Sequence, residues 1–375
     1  MHLFLHSHTT GTDWQILCRD AVAALGPIPS AAGLGFVYLS APLAAQAPSI
    51  LAYLRAHTPV RHWVGSLGSG IIGSGRESYD VPAISLLVTH LAEQSFRIIP
   101  TVSSEPGNFL AATHDWRQAT LGSVAVVHGD PRNARLPDLI TELSQGLEGG
   151  FLVGGLSSGN DQDLLQIADE VTSGGLSGVL FSSRVPLITG LTQGCSLLGC
   201  RHEITTVEGN ILVRLDGRSA LDVLKEDIGP ERARNLSRLG GYVFIALPIV
   251  GSDTGDYLVR NLLGIDPDSG MLAIGDRPRE GTFLQFAQRD PDTAIQDLVR
   301  MLRDVKSRIS GRPLGALYFS CLGRGRNLFG GHSAELQRVR DELGDLPLAG
   351  FYANGEISHN RLYGYTGVLT VFTEP

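Results

Sequence analysis

The chain is nearly devoid of lysine. Its 375 residues include 30 of Lys and Arg together, and of these only Lys225 and Lys306 are lysines. Neither stands beside a glycine loop or a reactive neighbour, so Schiff-base chemistry and a phosphate-loop lysine are not expected. An anion would meet the planar fork of an arginine instead. Cysteine is scarce too. Cys18, Cys195, Cys200 and Cys321 are too few and too dispersed for a disulfide scaffold, and a reducing cytoplasm is the expected setting. No stretch approaches the roughly 20 apolar residues of a spanning helix, so no membrane insertion is expected. The opening Met1-His2-Leu3-Phe4-Leu5-His6 lacks the basic region and apolar core of a secretory signal. Basic excess is also missing. A formal net charge of −8 argues against nucleic acid or an anionic membrane as partner.

What is present is a globular balance, 43% hydrophobic and 18% charged, in a length that suits one large or two ordinary domains. Within it one order of elements recurs. The first copy has a strand at Phe36-Val37-Tyr38-Leu39, a helix with Ile50, Leu51 and Leu54 on one face, and a strand at His62-Trp63-Val64. Gly65-Ser66 and a glycine-rich loop follow, then a strand at Ala83-Ile84-Ser85-Leu86-Leu87-Val88. The second copy reads Val124-Ala125-Val126-Val127, a helix striped by Leu136, Leu139, Ile140, Leu143 and Leu147, then Phe151-Leu152-Val153, Gly154-Gly155 and Gly178-Val179-Leu180-Phe181. The third reads Ala316-Leu317-Tyr318-Phe319, a helix with Leu336, Val339 and Leu343, then Pro347-Leu348-Ala349-Gly350 and Gly367-Val368-Leu369-Thr370-Val371. In each copy the strand before the turn is short and continuously apolar, the pattern of a strand buried on both faces. Between the second and third copies the pattern changes to strand, helix and antiparallel hairpins, with a turn at Asp266-Pro267-Asp268-Ser269-Gly270. The fold class expected is α/β of mixed α+β character, built from repeated strand-helix-strand-turn-strand units with an antiparallel section in the C-terminal half. A domain boundary is expected near Gly217.

Several motifs invite chemistry. Gly68-Ser69-Gly70-Ile71-Ile72-Gly73 fits a dinucleotide fingerprint, but no helical stripe follows, and a glycine-rich turn with positive φ angles is the better reading. Gly155-Leu156-Ser157-Ser158-Gly159 fits a nucleophile elbow if a helix begins around Asp163-Leu164-Leu165-Gln166-Ile167. A serine hydrolase using Ser157 is therefore one alternative. Cys195, Cys200 and His202 are spaced too widely for a zinc motif and lack a fourth ligand, so buried, inert cysteine and no metal are expected. Asp266, Asp268 and Asp276 lack the full calcium series and suit a solvated turn.

The most distinctive segment is Phe319-Ser320-Cys321-Leu322-Gly323-Arg324-Gly325-Arg326, a strand ending in a thiol and then a glycine-arginine turn. Ligands of open α/β sheets sit beyond the carboxyl ends of strands, which is where Cys321 falls. Arg324 or Arg326 would lower its pKa, or grip a carboxylate by paired hydrogen bonds. In the companion segment Ala349-Gly350-Phe351-Tyr352-Ala353-Asn354-Gly355-Glu356, Asn354 and Gly355 suit a left-handed backbone, and Glu356 would pair with Arg324 or receive a ligand ammonium.

These two segments, with Tyr365-Thr366-Gly367-Val368-Leu369, resemble the FIST family, a sensory domain of signal-transduction proteins. Val64-Gly65-Ser66, Val153-Gly154-Gly155, Gln193-Gly194-Cys195 and Leu215-Asp216-Gly217-Arg218 extend the resemblance over nearly all of the chain after Gly33. It implies an N-terminal region over 1–217 and a C-terminal region over 218–375 in one bacterial, cytoplasmic, non-enzymatic sensor of small molecules, amino acids among them. Some members resemble haem-binding nitric oxide sensors that act on a histidine kinase or a cyclic-di-GMP enzyme such as a diguanylate cyclase, so haem is a possible cofactor and such an enzyme a possible partner. The expected ligand site gathers Cys321, Gly323, Arg324, Gly325, Tyr352, Asn354, Gly355 and Glu356 with Ser66, Gly155 and Ser157. In it Arg324 and Glu356 hold a zwitterion's two ends and Cys321 lines the floor.

Overall fold

The continuously apolar strands read from the sequence need cover on both faces, and the fold supplies it three times over. The computed structural model describes residues 4–121, 124–148, 150–160, 164–249 and 257–374. The chain divides into two compact units, Met1–Gln193 with Ile295–Pro375, and Gly194–Ala294. The sequence boundary at Gly217 lies inside the second of these.

In the first unit each repeat runs strand, helix, strand, helix, strand, a short two-strand hairpin, and a last strand. Repeat one comprises β1 (Leu5–Thr10), α1 (Trp14–Leu25), β2 (Leu34–Ser40), α2 (Ala47–His57), β3 (His62–Gly68), β4 (Gly70–Gly73), β5 (Arg76–Tyr79) and β6 (Ala83–Thr89). Repeat two comprises β7 (Phe96–Val102), α3 (Gly107–Ala112), α4 (His114–Thr120), β8 (Val124–Gly129), α5 (Leu136–Gly146), β9 (Phe151–Leu156), β10 (Gln166–Ala168), β11 (Glu170–Thr172) and β12 (Leu176–Phe181). Repeat three opens with β13 (Leu187–Gln193). The chain then forms the second unit: β14 (Cys195–Glu208), β15 (Ile211–Leu215), β16 (Arg218–Ser219), α6 (Ala220–Ala233), β17 (Val243–Pro248), β18 (Tyr257–Asp266), β19 (Met271–Ile274) and β20 (Phe283–Arg289). Repeat three resumes with α7 (Pro291–Arg308), β21 (Pro313–Cys321), α8 (Ala334–Leu343), β22 (Leu348–Ala353), β23 (Glu356–His359), β24 (Arg361–Tyr363) and β25 (Thr366–Thr373).

Each repeat builds a sheet around a parallel pair, β2/β3, β8/β9 and β21/β22, flanked by the antiparallel last strand. The hairpin does not stay in its own sheet. Hairpin β4–β5 pairs with β22, β10–β11 with β3, and β23–β24 with β9, so every sheet is completed by another repeat. The strands alternate between two cores. Phe36 and Tyr38 of β2 face a core shared by the three sheets, while Val37 and Leu39 face α1 and α2. Val126 of β8 likewise enters the shared core, and Ala125 and Val127 pack against α5.

Two features hold the parallel pairs in place. Gly65 lies opposite Val37, Gly154 opposite Val127, and Gly350 opposite Tyr318. A Cβ at these glycines would fall 1.7, 1.8 and 1.8 Å from the facing carbonyl oxygen, so only glycine permits the approach. One residue further on, Tyr38, His128 and Phe319 form a closed triangle with ring centroids 5.6, 5.8 and 6.0 Å apart, each pair edge-on. Burial pushes the His128 pKa down to about 3, so its imidazole is neutral, and its Nε2 stands 3.3 Å from the Tyr38 hydroxyl.

In the second unit β14, β20, β17, β18, β19 and β15 pair in that order, and β14 also pairs with β15, which closes a six-stranded antiparallel barrel. Leu221, Leu224 and Ile228 of α6 pack on its core with Ile204 and Phe286.

Two expectations are corrected. Leu164 to Ile167 form no helix: Asp163 lies outside the described residues, and β10 begins at Gln166 as part of an exchanged hairpin. The glycines at 68, 70 and 73 are not left-handed. They allow close packing, since a Cβ would meet Phe351, the Tyr79 ring and His8 at 2.7, 2.4 and 2.7 Å. Replacing Gly65, Gly154 or Gly350 by Ala is expected to cost roughly 3 kcal/mol each, because backbone and not side chain must give way. Urea unfolding of the three variants measures it, and near-neutral values would show that the seam can open.

Candidate functional site

The strand β21 ends at Cys321 beside the end of its parallel partner β22, and the chain turns through Gly325–Asn327 in a short 3-10 turn. That turn folds Arg324 inward until it is fully buried. Its partner is Glu335 in the first turn of α8, so of the two roles expected for Glu356 the pairing with Arg324 is not taken up. Nε of Arg324 donates to Glu335 Oε1 at 2.9 Å. Glu335 also accepts from the Tyr318 hydroxyl at 2.7 Å, the Ser320 hydroxyl at 3.0 Å and the Gly325 N–H at 2.9 Å. Burial opposes the Arg324 charge, and the Glu335 carboxylate outweighs it and holds the guanidinium protonated. Nη1 of Arg324 keeps no hydrogen-bond partner, and the guanidinium lies 4.9 Å over the Phe329 ring.

A second carboxylate reaches this region from repeat one through the exchanged hairpin. Glu77 on β5 accepts from the hydroxyls of Tyr352 and Tyr79, whose rings stack at 5.0 Å. Burial raises its pKa. Outside, Arg326 pairs with Asp80 at 2.7 Å and lies over the Tyr79 ring.

Glu356 enters from the other side on β23. Its Oε2 accepts from the Thr366 N–H at 3.1 Å and hydroxyl at 2.7 Å, while Oε1 is buried without a partner. Burial pushes its pKa up to about 8, so the side chain is a neutral acid at pH 7. Cys321 lies in the field of both Glu356 and Arg324. Burial pushes the thiol up, Glu356 adds to that, and Arg324 opposes it only weakly. The expectation that Arg324 or Arg326 lowers the Cys321 pKa is thus reversed: Cys321 is a protonated thiol.

The structure gathers Cys321, Gly323, Arg324, Gly325, Tyr352 and Glu356 at one end of β21 and β22, with Gly155 paired to Glu356 across β9 and β23. Asn354 is exposed, and Gly355 has a positive φ of 131°. Ser66 and Ser157 form a separate buried pair at the end of β3 and β9, their hydroxyls 2.8 Å apart. Ser157 also donates to the Leu165 carbonyl at 3.1 Å and accepts from Gln166 Nε2 at 2.8 Å. With a hairpin where an elbow needs a helix, and these partners on its hydroxyl, Ser157 does not have the surroundings of a hydrolase nucleophile. Glu335 and Glu77 escaped the sequence reading. The first was legible as an acid in the first turn of the last helix, whereas Glu77 carried no signal, because nothing local shows that its hairpin joins another repeat's sheet.

His128, the histidine buried outright, does not fit a haem ligand. His128 is enclosed in the ring triangle, and His202 is held by Asp216 and Asp227 at 2.6 and 2.8 Å. The half-buried His6 and His8 contact the hydroxyls of Ser74 and Ser78 through one ring nitrogen each, and His6 Nε2 and His8 Nδ1 keep no partner. Cys195 is buried as expected, but Cys200 is exposed. No helix among the described residues is long and apolar enough to cross a membrane.

The comparisons with known proteins agree with this frame. The family model described as FIST N domain matches residues 33–218, and that described as FIST C domain matches 220–359. The chain belongs to the FIST family, whose domains are associated with sensory signal transduction. It is 31% identical over 347 residues to the uncharacterized protein Rv0628c of Mycobacterium tuberculosis, covering 88% of each chain. It is also 31% identical over 325 residues to the uncharacterized protein Mb0898c of Mycobacterium bovis, covering 83% of each. Among solved structures it is similar to a cyanuric acid hydrolase, at 9% identity, full coverage of both chains and a TM-score of 0.36. A cyanuric acid hydrolase from A. caulinodans gives 10% and 0.35. A likeness that slight carries no weight for what this chain does.

The electrostatics of Glu356 set a pH dependence. The folded carboxyl keeps its proton to about pH 8, whereas the ordinary value is 4.5. The stability it contributes is therefore full below pH 4.5 and is lost as pH rises towards 8, at up to about 1.4 kcal/mol per pH unit. In Glu356→Gln, which mimics the neutral acid, urea midpoints at pH 5 and pH 8 should lie closer together than in the parent protein. Equal pH slopes would show that Glu356 is ionised in the folded state.

Proposed function

We propose that the chain is a non-enzymatic sensor of a small polar metabolite of the amino-acid class, bound where β21, β22 and β23 meet. The observation that carries this is the pair of buried, unsatisfied polar atoms there, the donor Arg324 Nη1 and Glu356 Oε1, which carries the proton of the neutral acid and becomes an acceptor when that proton leaves. A buried polar atom without a partner is costly, and these two offer what a carboxylate and an ammonium require. Entry is by way of the segment from Gly323 to Ser333, whose backbone is left-handed at Gly325, Gly330, His332 and Ser333. The protonated Cys321 supports recognition rather than nucleophilic catalysis. Binding would restore the Glu356 carboxylate, change the packing of Phe329 on Arg324, and so alter the exposed face that carries Arg326 and Asn327 to a cytoplasmic signalling partner such as a histidine kinase or diguanylate cyclase.

Thermal unfolding of the purified protein against a panel of amino acids tests this. A ligand at about 100 times Kd adds about 2.7 kcal/mol to a folded state that alone binds it. The expected result is a shift with one chemical class that disappears in Glu356→Gln and persists in Ser157→Ala. A shift that is unchanged in Glu356→Gln removes the site from this role.

A further inference from the structure

The second unit carries a cluster that the sensor site does not use. We infer that Cys200, His202 and Asp227 hold a divalent transition metal of the zinc class, with the fourth coordination position open. Cys200 and His202 are two apart on β14 and so share a face of the strand. The strand bulges there, its register against β20 shifting between Leu198 and His202. Asp227 comes from α6. The thiol sulfur, the imidazole Nε2 and a carboxylate oxygen all lie within 4.8 Å of one another.

The geometry is that of a ligand set. Cys200 Sγ stands 3.7 Å from His202 Nε2. Zinc bonds to sulfur and nitrogen in a tetrahedron place those two atoms about 3.6 Å apart. Asp227 Oδ2 stands 2.8 Å from the same nitrogen, and a bound ion would widen that edge to about 3.3 Å. The other ring nitrogen is already fixed. Nδ1 of His202 lies 2.6 Å from Asp216 Oδ2, and Asp216 Oδ1 accepts the Glu203 N–H at 2.8 Å. A carboxylate behind a histidine sets the tautomer that leaves Nε2 to bind metal. Gly199 makes room for the arrangement. With φ at +60°, it lies so close to Asp227 that a Cβ there would sit 2.0 to 2.2 Å from the carboxyl group.

Three protein ligands of three chemical types leave a position for water or an outside ligand, as in sites where zinc remains accessible. The exposure of Cys200 gives an ion a path in. The competing arrangement is a metal-free imidazolium bridging Asp216 and Asp227, in which Cys200 has no part.

Titration of the tag-free full chain with cobalt(II) separates the two. The expected result is a near-ultraviolet thiolate-to-cobalt band with tetrahedral visible bands, saturating at one equivalent and erased by added zinc. Cys200→Ser changes only a surface thiol and should lose the ultraviolet band. Asp216→Asn should keep it with an affinity 10- to 100-fold weaker, as for other partners behind a metal-bound histidine. Cys321→Ser should leave both spectrum and affinity unchanged. A wild-type chain without the thiolate band, or a band that survives Cys200→Ser, overturns the inference.

Discussion

The hairpins that leave their own repeats impose the constraint on which the first unit depends. β4–β5 completes the sheet of repeat three, β10–β11 that of repeat one, and β23–β24 that of repeat two. No repeat can close its sheet alone, so the three fold as a ring of mutual dependence. The same exchange requires each parallel pair to stay narrow. The glycines at 65, 154 and 350 let the second strand press on the first, and the next positions on β2, β8 and β21 then meet as the Tyr38–His128–Phe319 triangle. A neutral His128 is part of this packing, since burying a charged imidazole there would be costly.

A threefold frame makes its departures informative. Ile72, Ile167 and Ile357 each lie opposite one of the three seam glycines, so their neighbours Ile71, Gln166 and Glu356 hold equivalent places. The first packs as hydrocarbon, the second is an amide that donates to Ser157 and keeps Oε1 without a partner, and the third is an ionisable acid with Oε1 likewise unpaired. Likewise Ser40, Asp130 and Cys321 follow by the same count along the first strand of each pair. Ser40 accepts the Ala83 N–H and Asp130 pairs with Arg132, whereas Cys321 stands between Glu356 and Arg324. The chemistry gathers where repeat three breaks the pattern, and repeat one's Glu77 reaches it only because of the exchange.

Much of this was legible in the sequence, for particular reasons. The α5 stripe from Leu136 to Leu143 obeys the helical period, and the runs of β6, β12 and β25 stand out because they are buried at every position. The glycines at 65, 154 and 350 marked the repeat, but they lie inside β3, β9 and β22 and not in the turns expected of them. The hairpins were not legible, since strands of three or four residues carry too little pattern to separate from a loop, and their partners lie in another repeat. The Arg324–Glu335 pair was missed for a related reason. Glu335 follows Arg324 by 11 residues and Glu356 lies a strand further on, and only the inward turn at Gly325 decides in favour of Glu335. In the second unit, spacing along β14 showed Cys200 and His202 but not Asp227, which a helix brings in from 25 residues away.

Native-state hydrogen exchange tests the interlocked frame most directly. The amides of Val64, Val153 and Ala349, one in the second strand of each parallel pair, should exchange through a single opening. They should share one free energy and one dependence on denaturant, equal to those of global unfolding. A distinct, cheaper opening confined to one repeat would contradict the account, because that repeat could then unfold while the sheets it completes remained intact.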